Sequence, residues 1–189
     1  MVRYFADVPS RAAALLIDAV LLAPATFVSA LVVSALFGPA VAFNSSDGAG
    51  TGVSVDRGVA TADAVVSVVL SVAYFVATWL VLAGSPGQRL LRMRIVRATD
   101  GARLALGQAL IRWALLLGPA AVAGIFTAAT HGATEAFANL LALAWYVVLF
   151  VSTAASHTKQ GVHDRVAKTV VSRTAKKWPQ ADEERARVH

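Results

Sequence analysis

The chain has 189 residues, of which 57% are hydrophobic and 15% carry a charge. A soluble domain is usually about half apolar and about a quarter charged, so this composition argues against a soluble globular fold. The net charge of +6 does not indicate a nucleic-acid partner, because the basic residues flank apolar runs, where orientation in a bilayer accounts for them. The absence of cysteine excludes disulfides, thiol catalysis and cysteine-ligated metals.

The first apolar run, residues 12–37, predicts a transmembrane helix. Pro9 and Ser10 are favourable residues for a helix start. The run exceeds the ~20 residues needed to cross the hydrocarbon core, and Asp18 is its only charged residue. Both the length of the run and the internal aspartate argue against a cleaved signal peptide, whose apolar core has about 7–15 residues.

Three further apolar runs are long enough to cross a bilayer, namely 64–83, 109–130 and 136–155. We expect Asp63 to cap the second span, and the polar, glycine-rich residues 38–61 to form a flexible external loop. Ser67 and Ser71 have the small-xxx-small spacing of close helix contacts, although the ordinary composition of an apolar helix explains them equally well. Pro119 is expected to kink the third span.

The connector between the second and third spans, residues 84–108, contains five arginines and one acidic residue. Part of it alternates between basic and apolar residues, and Asp100-Gly101 separates that part from a second short alternating run. This pattern predicts a two-stranded β-hairpin on the cytoplasmic face. An amphipathic helix over residues 88–97 is the alternative, and the β-prone residues 166–171 are candidates for an added strand.

The distribution of basic residues predicts the threading. Of the 17 lysines and arginines, only Arg57 falls on the side opposite the connector, so the connector and both termini are expected in the cytoplasm and the protein in the plasma membrane. The predicted fold class is an all-α membrane protein with four transmembrane helices and a small cytoplasmic β-hairpin between helices 2 and 3, over residues 1–173. Residues 174–189 are expected to form a disordered cytoplasmic tail that contacts anionic lipid headgroups.

Asp18 is the main candidate for a functional residue. A carboxylate inside a span costs about 2.5–3.5 kcal/mol on insertion scales, so such a group faces a partner or water. Arg11 lies seven residues earlier on the same helix face, and Arg112 enters the third span at a comparable depth. These residues predict either a structural Asp–Arg clamp between helices or a proton- or cation-binding site.

A second polar cluster follows the fourth span and includes His157, His163, Asp164 and Arg165. The spacing of the two histidines does not place them on one helix face, so no metal site is predicted. We expect Asp164 and Arg165 instead to dock this segment against the arginine-rich connector. No hydrolase motif is present, and we predict neither an enzymatic activity nor a cofactor.

The arginine before the first span, the aspartate inside it, the glycine-rich basic connector and the late His-Asp pair together resemble the RDD family of bacterial membrane proteins. The family is named for one arginine and two aspartates, which correspond here to Arg11, Asp18 and Asp164. Gln88 stands where the connector of the family usually has a lysine. The cytoplasmic motif of the family matches Gly84, Gly87, Arg89, His163 and Asp164.

This resemblance implies a transport-related role, with cation/proton exchange suggested for some members of the family. We therefore expect a multi-pass membrane protein with Asp18 as the exchangeable carboxylate, tuned by Arg11 or Arg112. Because four helices enclose little volume, a carrier is expected to be a homo-oligomer or a subunit of a membrane complex. The alternative is a non-catalytic accessory or scaffolding subunit that uses its small-residue faces and its cytoplasmic patch.

Overall fold

The computed structural model of the protein describes residues 4–45 and 51–173. The expected disordered tail, residues 174–189, lies outside the described residues. The helices are α1 (Val8–Phe37), α2 (Arg57–Leu82), α3 (Pro86–Leu90), α4 (Leu106–Leu116), α5 (Gly118–Ala129), α6 (Ala133–Ala155) and α7 (Val162–Val166). The strands are β1 (Tyr4–Phe5), β2 (Val41–Ser45), β3 (Thr51–Val55), β4 (Met93–Arg97) and β5 (Thr169–Arg173).

Within the described residues, α1, α2 and α6 are long and apolar enough to cross a membrane, and α4 with α5 adds a fourth candidate if the bent pair counts as one span. The outward faces of these helices carry large apolar side chains, such as Phe27, which is 65% exposed. A helix that is apolar on its outer face as well as its inner face fits a bilayer rather than water.

The second long helix begins earlier than expected. Its N-cap is Asp56, whose carboxylate accepts a hydrogen bond from the Val59 amide at 3.1 Å. The expectation that Asp63 caps this helix is therefore wrong, because Asp63 lies in the second turn of α2. An aspartate just before the helix satisfies free amides of the first turn, and Asp56 stands at that position.

The break between α4 and α5 has a clear cause in Pro119. The two helices meet at an angle of 54°. Proline has no amide hydrogen to donate to the carbonyl four residues earlier, which is that of Leu115. The indole Nε1 of Trp145 donates to this carbonyl at 2.7 Å, and the Tyr146 hydroxyl donates to the Leu116 carbonyl at 3.0 Å. Two side chains of α6 thus satisfy the backbone at the break.

The expected hairpin in the connector is wrong in its second arm. The turn forms, with Gly101 at φ +72° and the Arg97 amide donating to the Ala102 carbonyl at 2.9 Å, but residues 101–105 contain no strand. The rival helix covers only α3, because Arg92 adopts a left-handed conformation at φ +57° and ends it. The partner of β4 is instead β5, whose run of β-branched residues favours a strand.

The three-stranded sheet joins distant parts of the chain in the order β1-β5-β4, with both pairs antiparallel. Ile95 lies opposite Val171, and both side chains are fully buried. The sheet covers the end of the bundle, where the buried apolar core lies. That core includes Ala6, Phe75, Trp79, Met93, Ile95, Leu104 and Val171.

The expectation of a flexible loop over residues 38–61 is wrong where the structure describes it. β2 and β3 pair antiparallel, with Val41 opposite Val55 and Phe43 opposite Val53. These β-branched and aromatic side chains favour strands. β2 and β3 therefore form a hairpin at the end of the bundle opposite the three-stranded sheet.

The helices are not packed equally on one another. α1 packs on α2, α2 packs on α4 and α5, and α5 packs on α6, whereas α1 contacts α6 over a short stretch only. Ser71 accepts a hydrogen bond from the Trp113 indole at 3.2 Å, so the small-residue face of α2 is used inside the chain. The bundle is therefore least closed between α1 and α6.

We expect Trp145→Phe to destabilise the protein by about 1–3 kcal/mol, because the Leu115 carbonyl loses its donor in an apolar environment. In a Pro119→Ala background an amide is available to that carbonyl, so the same tryptophan substitution should cost clearly less. Thermal unfolding of the four proteins in detergent measures this double-mutant cycle. An equal cost in both backgrounds would show that Trp145 does not compensate for the proline.

Candidate functional site

Asp18 is buried in a polar nest that we call the Asp18 cradle, formed with Tyr74, Ser85 and Gly87. The carboxylate, 1% exposed, accepts hydrogen bonds from the Tyr74 hydroxyl at 3.0 Å, the Gly87 amide at 2.8 Å and the Ser85 hydroxyl. Three donors on one buried carboxylate offset the loss of its hydration. The cradle thereby joins α1 to the end of α2 and to α3.

The local sequence of the connector explains why it reaches Asp18. Ser85 and Gln88 form a capping box at the start of α3, in which Gln88 Oε1 accepts from the Ser85 amide at 2.9 Å. A Cβ atom on Gly87 would lie 2.2 Å from the Ala14 carbonyl oxygen and 3.0 Å from the Asp18 carboxylate. Only glycine allows this approach of α3 to α1, and this requirement accounts for the motif glycine.

Asp164 is the centre of a second cluster, the Asp164 clamp, formed with Arg11, Arg112, His163 and Thr169. Its carboxylate is fully buried and accepts from Arg11 Nη1 at 2.5 Å and from Arg112 Nη1. Arg112 also donates to the Thr169 hydroxyl at 2.9 Å, and its guanidinium carbon lies 5.4 Å from the centroid of the Trp79 ring. One carboxylate thus links α1, α4 and α7.

The expected pairing of Asp18 with Arg11 or Arg112 is wrong, because both guanidiniums bind Asp164. Seven residues along a helix correspond to about 10 Å of rise, which separates Arg11 from Asp18 even on one face. Asp164 was expected to dock its segment on the connector, whereas it docks on the ends of two spans. The connector contacts Asp18 through Ser85 and Gly87, and its strand β4 pairs with β5 of the late segment.

His163 lies against the clamp as a neutral imidazole. Its Nε2 atom is 3.4 Å from Asp164 Oδ1, a contact that would favour protonation. However, burial lowers the pKa of His163 well below its usual range, and the positive charges of Arg112 and Arg11 lower it further. The charge of Asp164 is already shared between the guanidiniums of Arg11 and Arg112.

Both clusters line one cavity of about 330 Å³, which we call the central cavity. Asp18 of the cradle and three residues of the clamp contribute polar groups to the lining, Gln88 and Thr153 add two more, and the other walls are mainly apolar. The polar lining residues are Arg11, Asp18, Gln88, Arg112, Thr153 and His163. A carboxylate that lines such a cavity can hold a proton or a monovalent cation, whereas a fully packed carboxylate cannot exchange either.

Other predicted site residues lie outside the cavity. Arg89 and His157 are exposed. Gly84 lies in the turn before α3 and has a positive φ of +157°. Among the described residues, no group of three or more histidine, aspartate and glutamate side chains is placed to hold a metal ion.

Sequence reasoning missed Tyr74, Ser85 and Trp79. The Ser-x-x-Gln pattern from residue 85 to residue 88 is a capping-box signature and could have placed a helix start there. Tyr74 and Trp79 carry no comparable signal, because aromatic residues are common in apolar helices.

We expect Asp164→Asn to destabilise the protein by about 3–5 kcal/mol, because two buried guanidiniums lose their counter-charge. The matched control is Asp100→Asn, which breaks the exposed ion pair with Arg97 and should leave the melting temperature nearly unchanged, because exposed ion pairs contribute little. Thermal unfolding in detergent measures both. If the clamp is one unit, Arg11→Gln should cost less in the Asp164→Asn background than alone, and strict additivity would contradict it.

Comparison with known proteins gives one finding. Residues 5–168 match the model of the RDD family, while no curated protein and no solved structure matches the chain. The matched range contains every residue of both clusters except Thr169. RDD proteins are membrane proteins, in agreement with the long apolar helices. The chain belongs to the RDD family.

Proposed function

We propose that this membrane protein has a transport-related role in which Asp18 is the exchangeable carboxylate, with cation/proton exchange as the reaction. The supporting observation is that Asp18 is 1% exposed and lines the central cavity, yet within the described part of the chain no basic side chain lies within 4.0 Å of its carboxylate. Intramembrane acids of this kind mark ion and proton paths.

The chemistry of the cradle suits exchange between a proton and a hard cation. Hard cations take oxygen ligands, and Tyr74 and Ser85 place two hydroxyl oxygens on the Asp18 carboxylate. Hydroxyl groups rotate, so they can donate to the carboxylate when the site is empty. After rotation, the same hydroxyl oxygens can accept a hydrogen bond from a protonated carboxyl or coordinate a cation.

In this function the Asp164 clamp has a positioning role. By holding α1, α4 and α7 together, it sets the shape of the cavity next to Asp18. One chain encloses only a small cavity, so we expect the carrier to assemble as a homo-oligomer or within a membrane complex.

In the proposed threading, the protein crosses the plasma membrane four times, and both termini lie in the cytoplasm. This threading places Arg57 outside, at the N-terminus of α2. There its guanidinium donates to the Thr130 carbonyl at 2.5 Å and lies within 2.7 Å of His131 Nε2. Arg57 thus binds the free backbone carbonyls at the C-terminal end of α5.

Reporter fusions test this threading. Fusions after Gly38 and after Gly132 should report the outer side, and fusions after Gly101 and after Arg173 should report the cytoplasm. Each fusion point follows a helix or strand that the structure describes, so the preceding spans remain intact. An outer location for the Arg173 fusion would contradict four spans.

The decisive experiment on transport uses Asp18→Asn, which keeps the size of the side chain but can no longer release a proton or neutralise a cation. Purified wild-type protein in liposomes should dissipate an imposed pH gradient when a monovalent cation is added. We expect Asp18→Asn to lower the rate at least about tenfold, a loss of about 1.4 kcal/mol or more in transition-state stabilisation.

Asp63→Asn is the matched control, since Asp63 is a second aspartate of an apolar helix and does not line the central cavity. Its rate should stay close to that of the wild type. Silent liposomes with folded wild-type protein would overturn the transport role and favour the accessory-subunit alternative, in which the protein co-purifies with a larger membrane partner.

A further inference from the structure

The position of the central cavity exposes it to the bilayer. Its lining comes mainly from α1 and α6, the two long helices that contact each other over a short stretch only. Phe150 lines the cavity and is also 60% exposed, so the cavity continues into the outer surface of the bundle. An apolar opening between two spanning helices faces lipid chains rather than water.

The polar end of the cavity has more donors than acceptors. Three lining residues each carry a buried nitrogen without a hydrogen-bond partner, namely Arg11 Nη2, Arg112 Nε and Trp79 Nε1. All three are obligate donors. Since an unpaired buried polar group is costly, such a concentration in one lining indicates a ligand that supplies acceptor oxygens.

Charge also favours an acidic ligand at this end. Two guanidiniums share the single carboxylate of Asp164, which leaves one positive charge uncompensated in the clamp. Asp18 does not compensate it, because its charge is held by the three donors of the cradle and lies about two helical turns from Arg11.

The remaining lining is apolar and extends away from the arginines. Leu15 of α1 and Leu149 of α6 form part of this wall. A small soluble anion would leave these walls without a partner, whereas an alkyl chain buries apolar surface at about 25 cal/mol per Å². The combination of a donor-rich end and an apolar wall that opens to the bilayer fits an amphiphile.

We propose that the central cavity binds the acidic head of a membrane amphiphile, a carboxylate or phosphate group on an alkyl chain. The head lies at the end lined by Arg11 and Arg112, and the chain leaves between α1 and α6. This site goes beyond the transport role, because binding there does not require that any ion is carried.

Direct binding to the full-length protein tests the proposal. The protein is placed in nanodiscs of neutral phosphatidylcholine, and binding of radiolabelled oleate is measured by scintillation proximity. We expect saturable binding that unlabelled oleate displaces. Phosphatidylglycerol as a second competitor distinguishes a phospholipid from a free fatty acid, because both carry an acidic head but only the preferred source competes at low mole fraction.

Two neutral or soluble probes test the two halves of the ligand. Methyl oleate keeps the chain and removes the charge, and it should compete at least about tenfold more weakly than oleate, a difference of about 1.4 kcal/mol. Inorganic phosphate keeps the charge and lacks the chain, and it should not compete at millimolar concentration. Equal competition by methyl oleate would reduce the observation to ordinary lipid contact, and strong competition by phosphate would indicate a soluble anion, so either result overturns the proposal.

A matched pair of variants locates the site without changing any charge. Ala12 lines the cavity, while Ala19 lies seven residues further along the same face of α1 and does not line it; both are exposed. Ala12→Phe should fill the opening and weaken oleate binding at least about tenfold, whereas Ala19→Phe should bind as the wild type does.

Equal binding by the two alanine variants, with both proteins folded, would place the ligand elsewhere and overturn the assignment. Arg11→Gln adds a test of the head group, with a weakened preference for oleate over methyl oleate as the expected result. The outcome is separate from transport, because an Ala12→Phe protein that loses oleate while its Asp18-dependent flux persists supports the lipid site alone.

Discussion

The shared carboxylate of Asp164 is the interaction on which the rest of this end of the molecule depends. It binds guanidiniums from the first turn of α1 and from the middle of α4, and it belongs to the segment after the last long helix. A membrane supplies no hydrophobic driving force between helices, since lipid chains are as apolar as leucine. A buried charge network is therefore an effective way to fix which helices lie together.

The Asp18 cradle also connects separate segments through one buried carboxylate, but its donors are neutral groups. Asp18 holds the connector through a serine hydroxyl and a glycine amide, so α1 is attached to the connector after the second span. Through Arg11, α1 is also attached to the segment after α6. The three-stranded sheet adds a third attachment, since β1 and β4 both pair with β5. Every cytoplasmic segment of the proposed threading is held by at least one of these contacts.

Local sequence predicted the elements of this fold better than their partners. Apolar run length identified the long helices because the bilayer sets it, and Pro119 located the break in the third candidate span. The partner of Asp18 could not be found in the same way, because helix geometry places Arg11 on the correct face but about two turns away. Arg11 and Asp164 lie 153 positions apart in the sequence. The periodicity of a helix or strand predicts contacts between near neighbours only, so it could not predict this pair. The family resemblance singled out Arg11, Asp18 and Asp164 but did not indicate which of them pair.

Trp145 illustrates how one residue can be anomalous in sequence and necessary in structure. An indole in the middle of a span does not fit an interfacial aromatic belt, yet here it donates to the carbonyl that Pro119 leaves free. The break it stabilises turns α5 relative to α4, while α4 keeps Arg112 on Asp164 and Leu116 in the wall of the central cavity. On the two sides of the break, α4 packs on α2 and α7, and α5 packs on α2 and α6. The proline, the tryptophan and the clamp are therefore parts of one arrangement, and its geometric consequence is a cavity that has charged residues at one end and an opening between α1 and α6.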